Sequence, residues 1–222
     1  MLVVTMMNQK GGVGKTSCTH HLSGTLATAF KKRVLVVDAD PQASLTQGWW
    51  GPVATEELDP SMTVASILAG DMPHPSRVVH ATGLDGVSIV PGSAAVEVYN
   101  YPQPLTRGRD AVVTMREFLS EVEDAFDLVL IDCPPNLCGC SVTAMAASDA
   151  LLVPVQPEDY GSQGIARVLR SLDEVQSFGF PVRLLGFLLT MVAPRRVIHQ
   201  AYEASIRQQH GDAVLSARMP AL

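Results

Sequence analysis

Residues 2–17 read LVVTMMNQKGGVGKTS, and they set the fold for everything that follows. Leu2–Met6 is an apolar and β-branched run that predicts a strand, and a helix is expected from about Thr16 to Phe30. Between them lies a glycine-rich turn. A phosphate loop needs Gly-x-x-x-x-Gly-Lys-Ser/Thr. Gly14-Lys15-Thr16 supply its second half, but its first glycine falls at position 9, where Gln9 stands, and a second lysine, Lys10, follows. Strand, loop and helix are still the setting that such a loop requires. Gly11, Gly12 and Gly14 let the backbone N–H groups of Gly11–Ser17, Val13 included, turn around phosphate oxygens, and the helix dipole adds to them. Lys15 is then expected to neutralise the β- and γ-phosphates of a nucleotide, and the Thr16 hydroxyl to ligate Mg²⁺.

Outward from that stretch, short apolar runs recur at Val34–Val37, Val87–Val90, Leu128–Ile131, Ala150–Val155 and Leu184–Leu189, with a weaker one at Ala213–Ser216. They are continuous rather than alternating, as strands covered on both faces are. Helical spacing separates them. Val112, Met115, Phe118, Leu119, Val122 and Phe126 mark a helix within 109–126; Ile165, Val168, Leu169, Leu172 and Val175 mark one within 161–178. A third is expected over 195–209 with Ile198, Tyr202 and Ile206 inward. The alternation predicts an α/β chain with a doubly wound, mainly parallel twisted sheet flanked by helices, in one domain over 1–222. Residues 48–62 and 99–106 read as long surface loops.

Composition narrows the class. At 222 residues, 47% hydrophobic and 17% charged, the chain is globular in character. No apolar run approaches the roughly 20 residues that span a bilayer. The start lacks a basic region and a small-residue cleavage site, and the four cysteines have no regular spacing. A cytoplasmic protein is expected. The net charge of −6 argues against coating nucleic acid by the overall field, yet residues 158–222 hold seven arginines against six acidic residues.

Two acidic stretches complete the chemistry. Leu128–Asp132 is an apolar strand ending in an aspartate, so Asp132 is a candidate to hold Mg²⁺, through water. Asp38 and Asp40 follow Val34–Val37 on one side of an extended chain, at an edge where open α/β sheets bind ligands. Two carboxylates there can orient a metal-bound water and an attacking one; a turn with acidic caps is the plainer alternative.

KGGVGKT at 10–16, VLVVDADPQASLT at 34–46, LVLIDCPPN at 128–136, LVPVQPEDYGSQGI at 152–165 and LLTMVAPRR at 188–196 together resemble the deviant Walker A ATPases, and among them the ParA partition ATPases. The resemblance implies ATP and Mg²⁺ as ligands and an ATP-sandwich homodimer. In it Lys10 reaches the partner's nucleotide while Lys15 serves its own. It implies that Asp40 orients water, that Asp38 supports the metal and water network, and that 40–46 and 132–141 act as switch segments. Met191, and Pro220 beside Met219, are implied nucleotide contacts, with the proline by the adenine. The chain begins at the first strand and so resembles the short members, without an N-terminal helix-turn-helix. At its other end ARMPAL stops where relatives continue into a further helix.

The same resemblance implies non-specific duplex DNA binding in the ATP state, nucleoid association, and a ParB-like or cargo-adaptor protein that stimulates hydrolysis. Plasmid, chromosome and protein cargo are all open. Arg167 and Arg170 share a helix face; Arg196, His199, Glu203, Arg207 and His210 form a second stripe, and solvated face and DNA contact are both open for them. A membrane-bound MinD-like ATPase needs a basic amphipathic C-terminal helix, which ARMPAL does not supply. A nitrogenase-like reductase would use Cys133, Cys138 and Cys140, but Cys133 fits the DCPP switch. His20 and His21 read as packing or solvated residues, and Trp49-Trp50 as cover for the core edge.

Overall fold

The computed structural model describes residues 1–158 and 161–221. Its strands and helices alternate: β1 (Leu2–Met6), α1 (Lys15–Phe30), β2 (Val34–Asp38), α2 (Ser44–Trp50), α3 (Pro52–Glu56), α4 (Val64–Ala69), α5 (Pro75–Val78), β3 (His80–Ala81) and β4 (Val87–Val90) come first. After them come α6 (Thr114–Glu121), β5 (Leu128–Asp132), α7 (Gly139–Ala147), β6 (Ala150–Val155), α8 (Gly161–Ser177), β7 (Arg183–Val192), α9 (Val197–His210) and β8 (Val214–Pro220). The sheet runs β3-β4-β2-β5-β1-β6-β7-β8, parallel except for the short β3–β4 pair.

Continuous apolar strands need cover on both faces, and they have it. All residues of β2 and β6 are buried. Val4, Met6, Val34, Val36 and Leu130 face α1 and α2, packing with Cys18, Ala27 and Leu45. Val3, Leu35, Val37, Val129 and Ile131 face the other way, onto Val64, Met115, Phe118, Ala144, Ile165 and Val168. Each such side chain contributes about 1.5–3 kcal/mol by leaving water.

The register positions the site. β5 lies between β1 and β2, and Asp132 is the lateral neighbour of both Met6 and Asp38. Two aspartates thus end adjacent strands at the carboxyl edge, one strand from the loop that leaves β1.

Several expectations need correction. Residues 48–62 are not a long loop: α2, α3 and a 3₁₀ turn at Pro60–Met62 occupy most of it. The segment 99–106 is held in place too, with Pro104 and Leu105 buried in a 3₁₀ turn. Residues 109–126 divide into a 3₁₀ turn, Arg109–Val112, and the short α6. In α9 the buried stripe is His199, Glu203 and Ile206, while Ile198 is exposed. Glu203 can be buried because it accepts from Arg207 Nε at 2.8 Å and lies 3.0 Å from Arg218 of β8. Within 152–165, Asp159 and Tyr160 lie outside the described residues. Among the described residues no helix is long and apolar enough to cross a membrane.

Candidate nucleotide site

The loop 8–14 is built by two conformational demands and three anchors. Gly12 and Gly14 sit at φ +73° and +88°, a region that side chains disfavour. Helix α1 starts at once, with Cys18 N–H donating to the Gly14 carbonyl at 2.8 Å. Thr190 of β7 donates to the Val13 carbonyl at 2.8 Å, which ties the loop to β7. The buried Asn8 donates to the Pro154 carbonyl at 2.6 Å and accepts from Lys10 N–H at 3.0 Å.

The two lysines face different surroundings. Lys15 is buried, its ammonium 3.3 Å from the Lys10 carbonyl. Burial lowers its pKa, opposed chiefly by the charge of Asp132. Lys10 instead points outward, about one-third exposed, and pairs with Glu158 at 2.7 Å. One lysine lies inside its own loop and the other stands at the rim.

Three carboxylates gather opposite the loop. Asp132 is buried; Oδ2 accepts from the Thr16 hydroxyl at 2.6 Å, and Oδ1 has no partner among the described residues. Burial raises its pKa, and the charge of Asp38 adds to this. Asp38 is also buried and raised by burial, with both oxygens engaged. Its Oδ2 accepts from the Thr46 N–H and hydroxyl at 2.8 and 2.7 Å, and its Oδ1 from Asp40 N–H at 3.3 Å. Asp38 therefore anchors 40–46, and it bears on the metal position through its charge rather than through an open oxygen. Asp40 is half-buried and caps its own turn by accepting from Gln42 N–H at 2.9 Å.

The donor set fits Mg²⁺. One hydroxyl, one carboxylate oxygen without a donor, and a surplus of negative charge suit a hard cation that keeps water and takes phosphate oxygens as its remaining ligands. Among the described residues no group of three or more His, Cys, Asp or Glu is placed to hold a metal ion by itself. Cys133, Cys138 and Cys140 are free thiols there.

Next to the loop opens a cavity of about 500 Å³ lined by Gly14, Ser17, Met191, Met219 and Pro220, among others. Its wall is largely apolar, as a flat base requires. Met191 holds the left-handed conformation at φ +52°, uncommon for a side chain and found here at the cavity wall. His21, Gln156, Glu158 and Thr190 also line it. For His21 the sequence suggests only packing or solvation; its i, i+4 spacing from Ser17 on α1 is the signal that points to the cavity. His20 stacks on Trp49 at 4.2 Å, and Trp49 covers the core edge as expected.

The arginines separate. Arg167 and Arg170 are exposed on α8. Arg196 lines the nucleotide cavity. Arg207 is not a free phosphate-binding group: besides Glu203, its guanidinium donates to the Val214 and Leu215 carbonyls at 3.2 and 3.1 Å, clamping α9 to β8. That arrangement corrects the DNA reading of Arg207.

A family model described as AAA domain matches residues 1–179. The chromosome-partitioning ATPase Soj of Thermus thermophilus is 35% identical over 98% of this chain and 80% of its own length. The chain belongs to the ParA/Soj family of partition ATPases. The chromosome partitioning protein ParA of Caulobacter vibrioides is 32% identical over 98% of this chain and 80% of its own length. Among solved structures, cobyrinic acid a,c-diamide synthase from Mycobacterium smegmatis with bound ATP analogue and magnesium superposes with a TM-score of 0.87 at 28% identity. That match covers 100% of this chain and 88% of the other.

The carboxylates give a pH prediction. Raised pKa values mean that the folded protein holds protons which the unfolded chain releases in the ordinary carboxylate range. Stability is then lost as pH rises through that range and up through about 8, where Asp132 titrates. Without nucleotide, the melting temperature should fall by a few degrees across this window, and Asp132→Asn should flatten the slope. Melting curves at stepped pH check this; equal slopes for the two proteins would contradict it.

Proposed function

We propose that this chain is an Mg²⁺-dependent ATPase that organises DNA or a protein cargo in space. Its ATP-bound homodimer grips duplex DNA without regard to sequence and lets go after partner-stimulated hydrolysis, in the cytoplasm and on the nucleoid. The carrying observation is the disposition of the two lysines: Lys15 buried within its own loop, Lys10 outside it and reaching outward.

The backbone of Gly11–Ser17 and the Lys15 ammonium hold the phosphates, and Met191 and Pro220 flank the base. Thr16 and Asp132 hold the metal side, with Asp38 fixing the segment that carries Asp40. Mg²⁺ held there would supply positive charge to offset the charge that grows on the phosphates. Asp40, half-buried and tied only to its own turn among the described residues, orients the attacking water. Lys10 of one subunit leaves Glu158 and stabilises the charge developing in the other subunit's site.

DNA contact falls to the exposed pair Arg167 and Arg170, with Arg196 also near the cavity mouth. Two subunits side by side double the number of phosphates neutralised, so affinity should depend on dimerisation and fall steeply with salt. The expected result is a mobility shift of random duplex with ATP and Mg²⁺ and little with ADP. Arg167→Ala with Arg170→Ala should weaken it and lower the salt slope by about one for each phosphate no longer neutralised, with ATPase retained. Equal binding in ATP and ADP, or none in ATP, would overturn this reading.

A further inference from the structure

A groove of about 320 Å³ lies between α4 and the 3₁₀ turn Ala94–Tyr99. Ala65, Ala69, Ala95, Val98 and Tyr99 line it, and Val98 is 72% exposed. Acidic residues outnumber basic ones around the groove, although Arg77 of α5 reaches its lining by donating to the Ser61 hydroxyl at 2.8 Å. Residues 51–72 and 91–100, which build it, contain Glu56, Glu57, Asp59, Asp71 and Glu97 and no lysine or arginine. Among the described residues neither Asp71 nor Glu97 has a cationic partner within 4.0 Å. Asp71 is itself part of the lining.

The segment 92–101, which gives Ala95, Val98 and Tyr99 to the groove, also touches both switches. At one end Gly92 packs directly on Asp38, where an added Cβ would lie 2.8 Å from the carboxyl carbon. Gly92 N–H donates to the Thr46 hydroxyl at 2.8 Å, the same hydroxyl that donates to Asp38. The Ser93 and Thr63 hydroxyls join the turn to α4 at 3.1 Å. At the other end the Tyr99 carbonyl presses on Gly139, leaving no room for a side chain there. Gly139 N–H donates to the Tyr101 carbonyl at 2.8 Å, and Gly139 opens α7, the helix that follows Asp132.

We infer that this groove is the docking site for a basic, apolar segment of the protein that stimulates hydrolysis. The inference rests on the proposed partner-stimulated ATPase and adds a place and a chemistry. An apolar side chain of the partner fills the space beside Val98, and its lysines or arginines meet Asp71 and Glu97. A shift of the 94–99 turn then moves the backbone against Asp38 and Gly139 together, the two segments that carry Asp40 and follow Asp132.

Two short synthetic peptides of equal length and apolar pattern, one of Lys, Leu and Ala and one of Glu, Leu and Ala, serve as probes on the full chain with ATP and Mg²⁺. Methyl resonances of Val98 and Ala95 and the ATPase rate are read together. The basic peptide should move these resonances and raise the rate; the acidic one should do neither. Val98→Ser and Glu97→Lys, both at exposed positions, should each weaken the response about tenfold while basal hydrolysis stays unchanged. No response to the basic peptide, equal responses to both, or full stimulation of the variants overturns the docking site. Self-association that depends on Val98 also overturns it, by giving the groove to a second copy. Absence of basal ATP hydrolysis in the wild type would instead strike the proposed ATPase itself.

Discussion

Lys15→Gln should weaken nucleotide binding by a hundredfold or more, on the order expected when one partner of a buried, charge-assisted pair is removed. The ammonium is buried, 3.3 Å from the Lys10 carbonyl, and faces the charge of Asp132. Glutamine keeps much of the volume but offers no charge to the phosphates. The fold should survive, because the change relieves a desolvated cation that has no nucleotide to meet in the free protein. Titration with a fluorescent ATP analogue, beside a melting curve, gives both readings. Wild-type affinity in this variant would mean that the phosphates sit elsewhere.

Asp40→Ala should do the opposite to the reaction sequence: binding intact, turnover down about a hundredfold or more, a persistent ATP-bound dimer. Asp38 and Asp132 cannot substitute. Asp38 spends both oxygens on the backbone and hydroxyl of 40–46, and Asp132 accepts from Thr16. Asp40 bears only the turn bond from Gln42, so its removal should leave the strand end in place. Phosphate release and light scattering with ATP and Mg²⁺ report the two halves. Turnover at the wild-type rate, or a variant that never dimerises, would remove Asp40 from the proposed role.

What the sequence made legible follows from how each element is stabilised. The strands were readable because burial on both faces demands uninterrupted apolar runs, and β1, β4 and β6 fall where those runs lie. Helix α7 gave no period to read: every residue of Gly139–Ala147 is buried, so no polar face marks it. Gly48, Gly51 and Pro52 suggested a loop, yet Gly51 turns the chain between two helices and Pro52 starts the second. In α9 the reading failed by one position, because His199 and Glu203 are buried by polar pairing while Val197 and Ile198 are exposed. That the loop, Asp38 and Asp132 meet at one edge of the sheet was legible because each directly follows an apolar strand. Thr46, Thr190 and Asn8 were not, since what they do depends on partners 8 to 177 residues away.

The central claim is that Lys10 works on the partner's nucleotide. Sedimentation velocity in ATP and Mg²⁺, on the Asp40→Ala background that keeps ATP intact, tests it most directly. Asp40→Ala alone should sediment as a dimer in ATP and as a monomer in ADP. Adding Lys10→Ala should return the ATP-bound protein to monomer while nucleotide binding per subunit stays the same. A double variant that still dimerises fully in ATP would contradict the trans role of Lys10.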